Sequence, residues 1–198
     1  MKQSFPATSM PDRDWWSTLW PDPESILLKL GISAEMTVLD LCCGDGYFTG
    51  PLAKLVAGKV YALDLDEAMI EAAKIETKRQ GASVRQWIHA DARDVAKHLP
   101  EMVDYVLVAN TFHGIPDQAA FVRGVHSVLR PTGLFGIVNW ATLPREETTV
   151  LGQPRGPRTD MRMSPEDVSA IVEAAHRFKS KAAIELPPYH YGVIFSMS

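Results

Sequence analysis

The chain has 198 residues, of which 46% are hydrophobic and 22% charged, and its net charge at pH 7 is −4. This length fits one domain with a short appendage and excludes two full domains. The acidic balance argues against a large nucleic-acid interface, which needs many basic residues. Two cysteines, Cys42 and Cys43, are adjacent; they cannot form an ordinary scaffold disulfide, which excludes a disulfide-rich secreted domain.

Membrane and export signals are missing from the sequence pattern. No apolar run approaches the length of a membrane span. Residues 1–14 contain prolines and aspartates without an apolar stretch, so they do not resemble a signal peptide. We therefore expect a cytoplasmic protein, as a monomer or homodimer, with no nucleic-acid partner.

Residues 1–34 are predicted to form an arm and a helix, and they are a candidate lid. Trp15, Trp16 and Trp20 fall within six residues, which indicates either a lid over a ligand or core beneath an N-terminal helix. Asp22 can cap a short helix whose first position is Pro23.

Strands and helices then alternate within the main domain, residues 35–198. Short apolar runs predict strands at 37–41, 60–63, 84–89, 105–108 and 134–140. Helical periodicity follows Phe48 and recurs at 66–79 and 117–129. This alternation predicts an α/β fold of parallel strands with helices on both faces, a doubly wound Rossmann-like sheet.

The pattern changes after residue 140. Residues 141–163 contain several prolines and glycines without a usable period, so they are predicted to form a long loop that covers a substrate. Ser164, Pro165 and Asp167 predict a capped helix. Two strands, 182–186 and 192–197, can pair as an antiparallel hairpin.

A glycine turn follows the first strand in the segment Val38–Gly46. Gly44 and Gly46 allow the backbone to turn tightly and let a ligand approach closely. The dinucleotide fingerprint is incomplete because Thr49 occupies the third glycine position, and no P-loop lysine follows. The turn therefore indicates either a nucleotide-type ligand or a plain strand-to-helix turn.

Acidic residues end the next two strands. Asp64 can accept hydrogen bonds from both ribose hydroxyls, and Asp91 can reach the exocyclic amine of an adenine. Either could instead be a simple helix cap, but acids at the ends of three consecutive strands, Asp40 included, favour a nucleoside ligand.

These segments resemble the class I S-adenosylmethionine-dependent methyltransferases, particularly the small-molecule type 11 or ubiquinone/menaquinone methyltransferase-like group. The resemblance covers about residues 35–140, and Cys42 replaces the usual first glycine of its first motif. It implies a seven-stranded sheet whose last strand is antiparallel, with S-adenosyl-L-methionine as cofactor. It also implies a cofactor site formed by Asp40, Cys42, Gly44, Gly46, Asp64, Leu65, Asp91, Ala92 and Asn110.

Within this resemblance each cofactor residue has an expected role. Asp40 would contact the methionine amino group and Asp64 the ribose. Leu65 would pack on the adenine, whose amine Asp91 would bind, and Asn110 would lie near the methionine moiety.

The sequence signals for the residues that bind the methyl acceptor are less specific. The Asn/Asp-Pro-Pro-Tyr signature of many amino-group methyltransferases is absent after the fourth strand. His113 is a candidate general base, and Tyr189 and His190 form a second candidate in the bend of the terminal hairpin. Packing roles are the alternative for all three residues. Cys42 and Cys43 alone do not make a metal site, so no metal is expected.

The long loop contains a local excess of arginine. Arg155, Arg158 and Arg162 lie close to a single aspartate, Asp160. Because arginine binds carboxylates and phosphates through a planar fork, we expect an anionic small-molecule acceptor held by at least one of them. A solvated loop with surface ion pairs is the alternative.

The sequence favours an enzyme that methylates a small molecule by in-line displacement. Three other functions stay open: a non-catalytic S-adenosylmethionine-binding protein, a methyltransferase acting on RNA or protein, and a nicotinamide-dependent oxidoreductase. The missing third glycine and the absent Tyr-x-x-x-Lys pair argue against the last.

Overall fold

A computed structural model describes residues 13–175 and 177–198. Residues 1–12 of the predicted arm lie outside the described residues. The strands are β1 (Val38–Leu41), β2 (Val60–Asp64), β3 (Gln86–His89), β4 (Val103–Ala109), β5 (Leu129–Trp140), β6 (Thr149–Val150), β7 (Gln153–Pro154), β8 (Phe178–Leu186) and β9 (His190–Met197). The α-helices are α1 (Arg13–Leu19), α2 (Pro23–Lys29), α3 (Thr49–Leu55), α4 (Glu67–Arg79), α5 (Val95–His98), α6 (Gln118–Val128) and α7 (Pro165–Ala174).

Seven strands form one sheet in the order β3-β2-β1-β4-β5-β9-β8. Strands β1 to β5 pair in parallel, whereas β9 runs antiparallel to both β5 and β8. The predicted fold class, with its antiparallel last strand, is therefore confirmed. Strand β1 lies between β2 and β4, so the turn that follows it lies at the point where the strand order reverses.

Local sequence signals explain where several helices begin. The side chain of Asp22 accepts from the Ser25 N–H before α2, and Asp66 accepts from two backbone N–H groups at the start of α4. Ser164 and Asp167 form the predicted capping box of α7. Each cap satisfies N–H groups that have no partner inside the helix.

Buried apolar side chains form one core cluster on each face of the sheet. One cluster packs α6 and α7 against the sheet. The other contains all three N-terminal tryptophans, Trp15, Trp16 and Trp20, which are at most 5% exposed. In the part of the chain that the structure describes, no helix combines the length and apolarity needed to cross a bilayer.

The structure corrects the prediction of an irregular loop at 141–163. The segment contains the β6–β7 hairpin and two 3-10 turns, Arg145–Glu147 and Thr159–Met161. Val150 of this hairpin is buried with the N-terminal tryptophans. Two-residue strands carry no measurable alternation, which is why the periodicity did not predict them.

Candidate functional site

The glycine turn after β1 packs tightly against helix α4. Cys42, Gly44 and Gly46 all have positive φ angles, of 64°, 54° and 79°. A Cβ on Gly46 would lie 2.7 Å from the Cβ of Ala73 in α4, so only glycine fits there. Cys42 occupies a left-handed position that favours glycine, which agrees with its replacing a glycine of the family motif.

Asp64 fixes this turn to the end of β2. Its Oδ2 accepts from the Gly44 N–H at 2.8 Å, and its Oδ1 accepts from the Asp66 N–H at 2.9 Å. Each carboxylate oxygen keeps a further lone pair. The sequence placed Asp64 and Gly44 in one site, and the structure brings them into direct contact.

Asp40 is buried beneath the same turn. The Thr49 hydroxyl donates to its Oδ2 at 2.6 Å, and the side chain is only 3% exposed. Burial raises the pKa of Asp40 to about 7, with smaller contributions from Asp64 and Asp45, and the Thr49 bond opposes the shift. Near pH 7 the Asp40 carboxyl is therefore close to its midpoint of ionisation, and an approaching cation would favour the charged form.

Residues after β2 and β3 extend the site along the edge of the sheet. The guanidinium of Arg93 forms an ion pair with Asp91, which also accepts from the Arg93 N–H. Ala92 begins the next 3-10 turn, and the carbonyl of Leu65 lies 2.9 Å from His89 Nε2. Since Ala90 N–H donates to the Asp64 carbonyl, these groups share one edge.

A pocket that is partly open to solvent lies over the glycine turn. Its walls come from α1, the turn and the end of β4: Trp16, Asp40, Cys42, Cys43, Gly44, Asp45, Tyr47, Phe48, Ala109, Asn110 and Thr111. The Oδ1 atom of Asn110 is buried without a hydrogen-bond partner. An unpaired buried amide oxygen in a pocket wall is suited to a ligand that donates a hydrogen bond.

Several wall residues were not singled out from the sequence. Asp45, Tyr47 and Phe48 lie within the motif that was quoted for the glycine turn, so their position was the available signal. Trp16 was predicted as lid or core; it is 5% exposed and lines the pocket, and its role as a lid stays a prediction.

His113 follows β4 in a short 3-10 turn at the same edge. Its Nδ1 atom is buried without a partner. Burial lowers the pKa of His113 below 6.5; Asn139 opposes the shift and Arg162 adds to it. The imidazole is therefore neutral at pH 7 and able to accept a proton.

Asn139 of β5 is a polar residue that the sequence analysis did not identify. It is 1% exposed, and neither its amide oxygen nor its amide nitrogen makes a hydrogen bond of ordinary geometry with the described residues. It lies close enough to His113 and Tyr191 to affect the pKa of both. The available signal was an asparagine inside an otherwise apolar strand run.

His190 and Tyr189 lie on the other side of β5. His190 is the first residue of β9 rather than part of the bend, which corrects the predicted position. Its ring lies 4.1 Å from that of Trp140 and 4.4 Å from that of Trp20, and both ring nitrogens lack partners. Burial lowers the pKa of His190 well below 6.5. Tyr189 stacks on Trp140 and donates to the Thr149 carbonyl.

The three loop arginines differ in their exposure and in the partners of their side chains. Arg158 is exposed and forms an ion pair with Asp160. Arg162 is 9% exposed and lies 5.3 Å from the Trp140 ring. Its five N–H donors bond within the loop, to carbonyls of Pro157, Ala141, Leu143 and Arg155 and to the Thr148 hydroxyl. Arg162 thus has no donor left for a substrate.

Arg155 has no such partners for its side chain. Its guanidinium lies 5.7 Å from the Trp15 ring, and its Nε is buried and unpaired. The predicted anion contact therefore depends on Arg155 alone among these three residues.

Comparison with known proteins agrees with this geometry. A family model described as a methyltransferase domain matches residues 38–133, just under half of the chain. The matched region begins at the first residue of β1 and ends at residue 133, within β5. It therefore contains the glycine turn, Asp64, Asp91 and Asn110.

Curated relatives match somewhat more than half of the chain. The tRNA 5-carboxymethoxyuridine methyltransferase of Escherichia coli K12 is 32% identical over 121 residues, covering 61% of this chain and 46% of that protein. A demethylmenaquinone methyltransferase of Lactobacillus johnsonii is 34% identical over 115 residues, covering 56% and 46%. The chain thus spans about half the length of the curated relatives it matches.

A solved structure extends the likeness to nearly the whole chain. The crystal structure of a SAM-dependent methyltransferase from Aquifex aeolicus superposes with a TM-score of 0.77 at 26% identity, covering 94% of this chain and 93% of that one. Residues 38–133 thus match a methyltransferase domain, and the strand order and this superposition make the chain similar to an S-adenosylmethionine-dependent methyltransferase over nearly its whole length.

Proposed function

We propose that the protein transfers a methyl group from S-adenosylmethionine to a small-molecule acceptor. The observation that carries the proposal is the contact of Asp64 with the glycine turn. This contact holds a carboxylate with free lone pairs beside Gly44, at the strand-order reversal where nucleotide-type ligands bind. The ribose hydroxyls of the cofactor would donate to Asp64.

The remaining cofactor residues fit the other parts of the same molecule. The adenine would lie against Leu65 and Ala92, with its amine directed to Asp91. The positively charged methionine amino group would approach Asp40. Its positive charge would favour the ionised form of a carboxyl whose pKa is about 7.

The methionine end also has a hydrogen-bond acceptor that the chain itself leaves unpaired. The buried Oδ1 of Asn110 lines the pocket and lacks a partner. Gly44 and Gly46 would let the cofactor approach the backbone closely, and Cys42 has a left-handed φ of 64° in the same turn.

S-adenosylmethionine supplies an electrophilic methyl group attached to a sulfonium. The chain contributes alignment and the exclusion of water, since Trp16, Tyr47 and Phe48 wall the pocket with aromatic surface. His113 would take the acceptor's proton at Nδ1 where the acceptor is protonated; an acceptor that is already a strong nucleophile needs only alignment.

A small acceptor is favoured over tRNA, although one relative acts on a tRNA nucleoside by its name. The net charge is −4, whereas binding an RNA backbone requires a basic surface. Demethylmenaquinone, in the name of another relative, is a small molecule. Arg155 favours an anionic acceptor. A cytoplasmic location and a monomeric or homodimeric state also remain predictions.

Calorimetry tests the cofactor part of the proposal. S-adenosylmethionine and S-adenosylhomocysteine should bind the wild-type chain and raise its melting temperature, because a ligand that binds only the native state stabilises it. Asp64→Ala should weaken binding by about 1.5–3 kcal/mol, the value of hydrogen bonds to a charged group. Glu67→Ala, in the first turn of α4, is the matched control and should bind normally.

Two outcomes would contradict this assignment. If the wild-type chain binds neither ligand, the proposed function is wrong. If it binds both and the Asp64 variant binds equally well, only the role of Asp64 is wrong. Methyl transfer itself is tested by incubating the labelled cofactor with a metabolite extract, where a non-catalytic binding protein would give no labelled product.

A further inference from the structure

Three hydrogen-bond donors beside the pocket are buried and lack an acceptor among the residues that the structure describes. They are the indole N–H groups of Trp15 and Trp16 and the Nε of Arg155. The two indoles stack with ring centroids 4.2 Å apart, and the Arg155 guanidinium lies 5.7 Å from the Trp15 ring. The three residues therefore form one group, which we call the donor cluster.

The remaining N-terminal indole and the other two loop arginines are paired, which distinguishes the donor cluster from them. The third N-terminal tryptophan, Trp20, donates its indole N–H to the Pro187 carbonyl at 3.0 Å. Arg158 pairs with Asp160, and Arg162 uses all five donors within the loop. A buried unpaired donor costs about 1–3 kcal/mol. Three such donors on neighbouring side chains therefore indicate a missing hydrogen-bond acceptor.

The backbone holds Arg155 in place independently of its side chain. The Arg155 N–H donates to the Thr148 carbonyl at 2.9 Å, and its own carbonyl accepts from Thr148 and Arg162. The guanidinium is thus positioned by the loop while remaining without a described hydrogen-bond or ion-pair partner. Such a preformed arrangement lowers the entropy cost of binding a ligand.

The chemistry of the missing partner follows from the donors. All three groups only donate, and one carries a positive charge, so the complement is an anion with several acceptor oxygens. Trp16 also lines the cofactor pocket, so this anion belongs to a molecule that reaches the pocket.

We infer that Trp15, Trp16 and Arg155 form a subsite for a carboxylate group. The inference rests on the proposed function and deepens it. The carboxylate has two available sources: an acceptor molecule, or the amino-acid end of the cofactor.

Nuclear magnetic resonance of the indole N–H groups tests the subsite on the full chain. The two sources are separated by two matched pairs of probes. S-adenosylhomocysteine has a carboxylate, whereas methylthioadenosine lacks the amino-acid end. Benzoate and benzamide, added to the chain saturated with S-adenosylhomocysteine, differ only in the charged group.

The expected result is a large shift of the Trp15 and Trp16 indole signals with the carboxylate member of at least one pair. The Trp20 signal should move little, because its donor is already paired. A preference within the first pair identifies the cofactor as the source, and a preference within the second identifies the acceptor.

Substitutions sharpen the test. Arg155→Met should weaken binding of the preferred carboxylate about tenfold or more, as expected when a charged hydrogen bond is lost. Arg158→Met, on the same loop but paired at the surface, should change it less than about twofold. Trp16→Phe keeps an aromatic ring, although a smaller one, and removes the N–H, and it should also weaken binding of the carboxylate member selectively.

The inference is wrong if neither pair shows a preference for its carboxylate member, or if the Arg155 and Arg158 variants behave alike. A destabilised variant does not affect the first criterion, which uses the wild-type chain. If calorimetry shows that S-adenosylhomocysteine does not bind at all, the proposed function fails instead, and the two failures are distinguished.

Discussion

The cofactor side of the site, residues 38–110, and the acceptor side, formed by α1, residues 111–163 and His190, differ in how their buried polar groups are paired. On the cofactor side Asp40 accepts from Thr49, and Asp64 accepts from two backbone N–H groups. Among the described residues, unpaired buried polar atoms occur in only two residues of the cofactor side, Thr77 and Asn110, but in six of the acceptor side: Trp15, Trp16, His113, Asn139, Arg155 and His190.

This difference separates a prebuilt site from one that is completed by its ligand. A paired carboxylate keeps its geometry without a ligand, because its own hydrogen bonds fix it. An unpaired buried group is destabilising until a partner arrives. The methyltransferase domain model matches the whole cofactor side and, on the acceptor side, residues 111–133, whereas α1, residues 134–163 and His190 lie outside the match.

The largest expected effect comes from His113, on the acceptor side. If His113 acts as the base, His113→Ala should reduce turnover of a protonated acceptor about 10²–10⁴-fold while leaving cofactor affinity unchanged. The pKa of His113 is lowered by burial, so the rate should fall only below pH 6.5, where the imidazole becomes charged. Steady-state kinetics across pH 5–9 measure both effects.

A flat pH profile with an active variant would show that alignment alone is sufficient. His126→Ala provides the control, since His126 lies on α6 and its pKa is also lowered by burial. That variant should retain both turnover and the pH profile.

The next effect tests how rigidly the cofactor side is built. Gly46→Ala should lower the free energy of unfolding by about 2–5 kcal/mol. The alanine would have to adopt a left-handed backbone conformation, and its Cβ would overlap Ala73. Gly152→Ala has a similar φ, of 72°, with no atom near the new Cβ, and should cost only about 1–2 kcal/mol. Urea unfolding compares them, and equal losses would refute the steric argument.

The smallest effect concerns the charge of Asp40. Its pKa is raised in the folded chain from 3.8 to about 7, so the folded state binds the extra proton between these values. The free energy of unfolding of the cofactor-free chain should therefore fall as pH rises through this range, by about 2–3 kcal/mol between pH 5 and pH 8. Asp40→Asn should remove this dependence. Urea titrations at both pH values measure it, and an unchanged slope would assign the dependence to other groups.

Much of the fold was accessible from local signals. The caps at Asp22, Asp66 and Ser164 and the alternation of strands and helices depend on neighbouring residues only. The strand order and the antiparallel last strand came with the family resemblance, which used the glycine turn and Asp64.

The acceptor side was less accessible because its contacts join residues far apart in the chain. The burial of Arg162 depends on carbonyls that approach from both ends of the loop. The isolation of His190 requires Trp20 and Trp140, which come from different elements. Neither arrangement leaves a periodic or motif signal. The sequence therefore predicted three equivalent loop arginines, whereas the structure distinguishes them.

The saturation of Arg162 also bears on how this enzyme could diversify. The loop is held by a residue that has no donor left for a substrate, while Arg155, seven positions earlier, is held by its backbone and leaves its side chain unpaired. If Arg155 binds a carboxylate as inferred above, exchanging the side chain at position 155 would alter ligand preference without removing the support of the loop. Loop support and ligand selectivity would then depend on two different arginines, and position 155 would be the one to vary in engineering new acceptors.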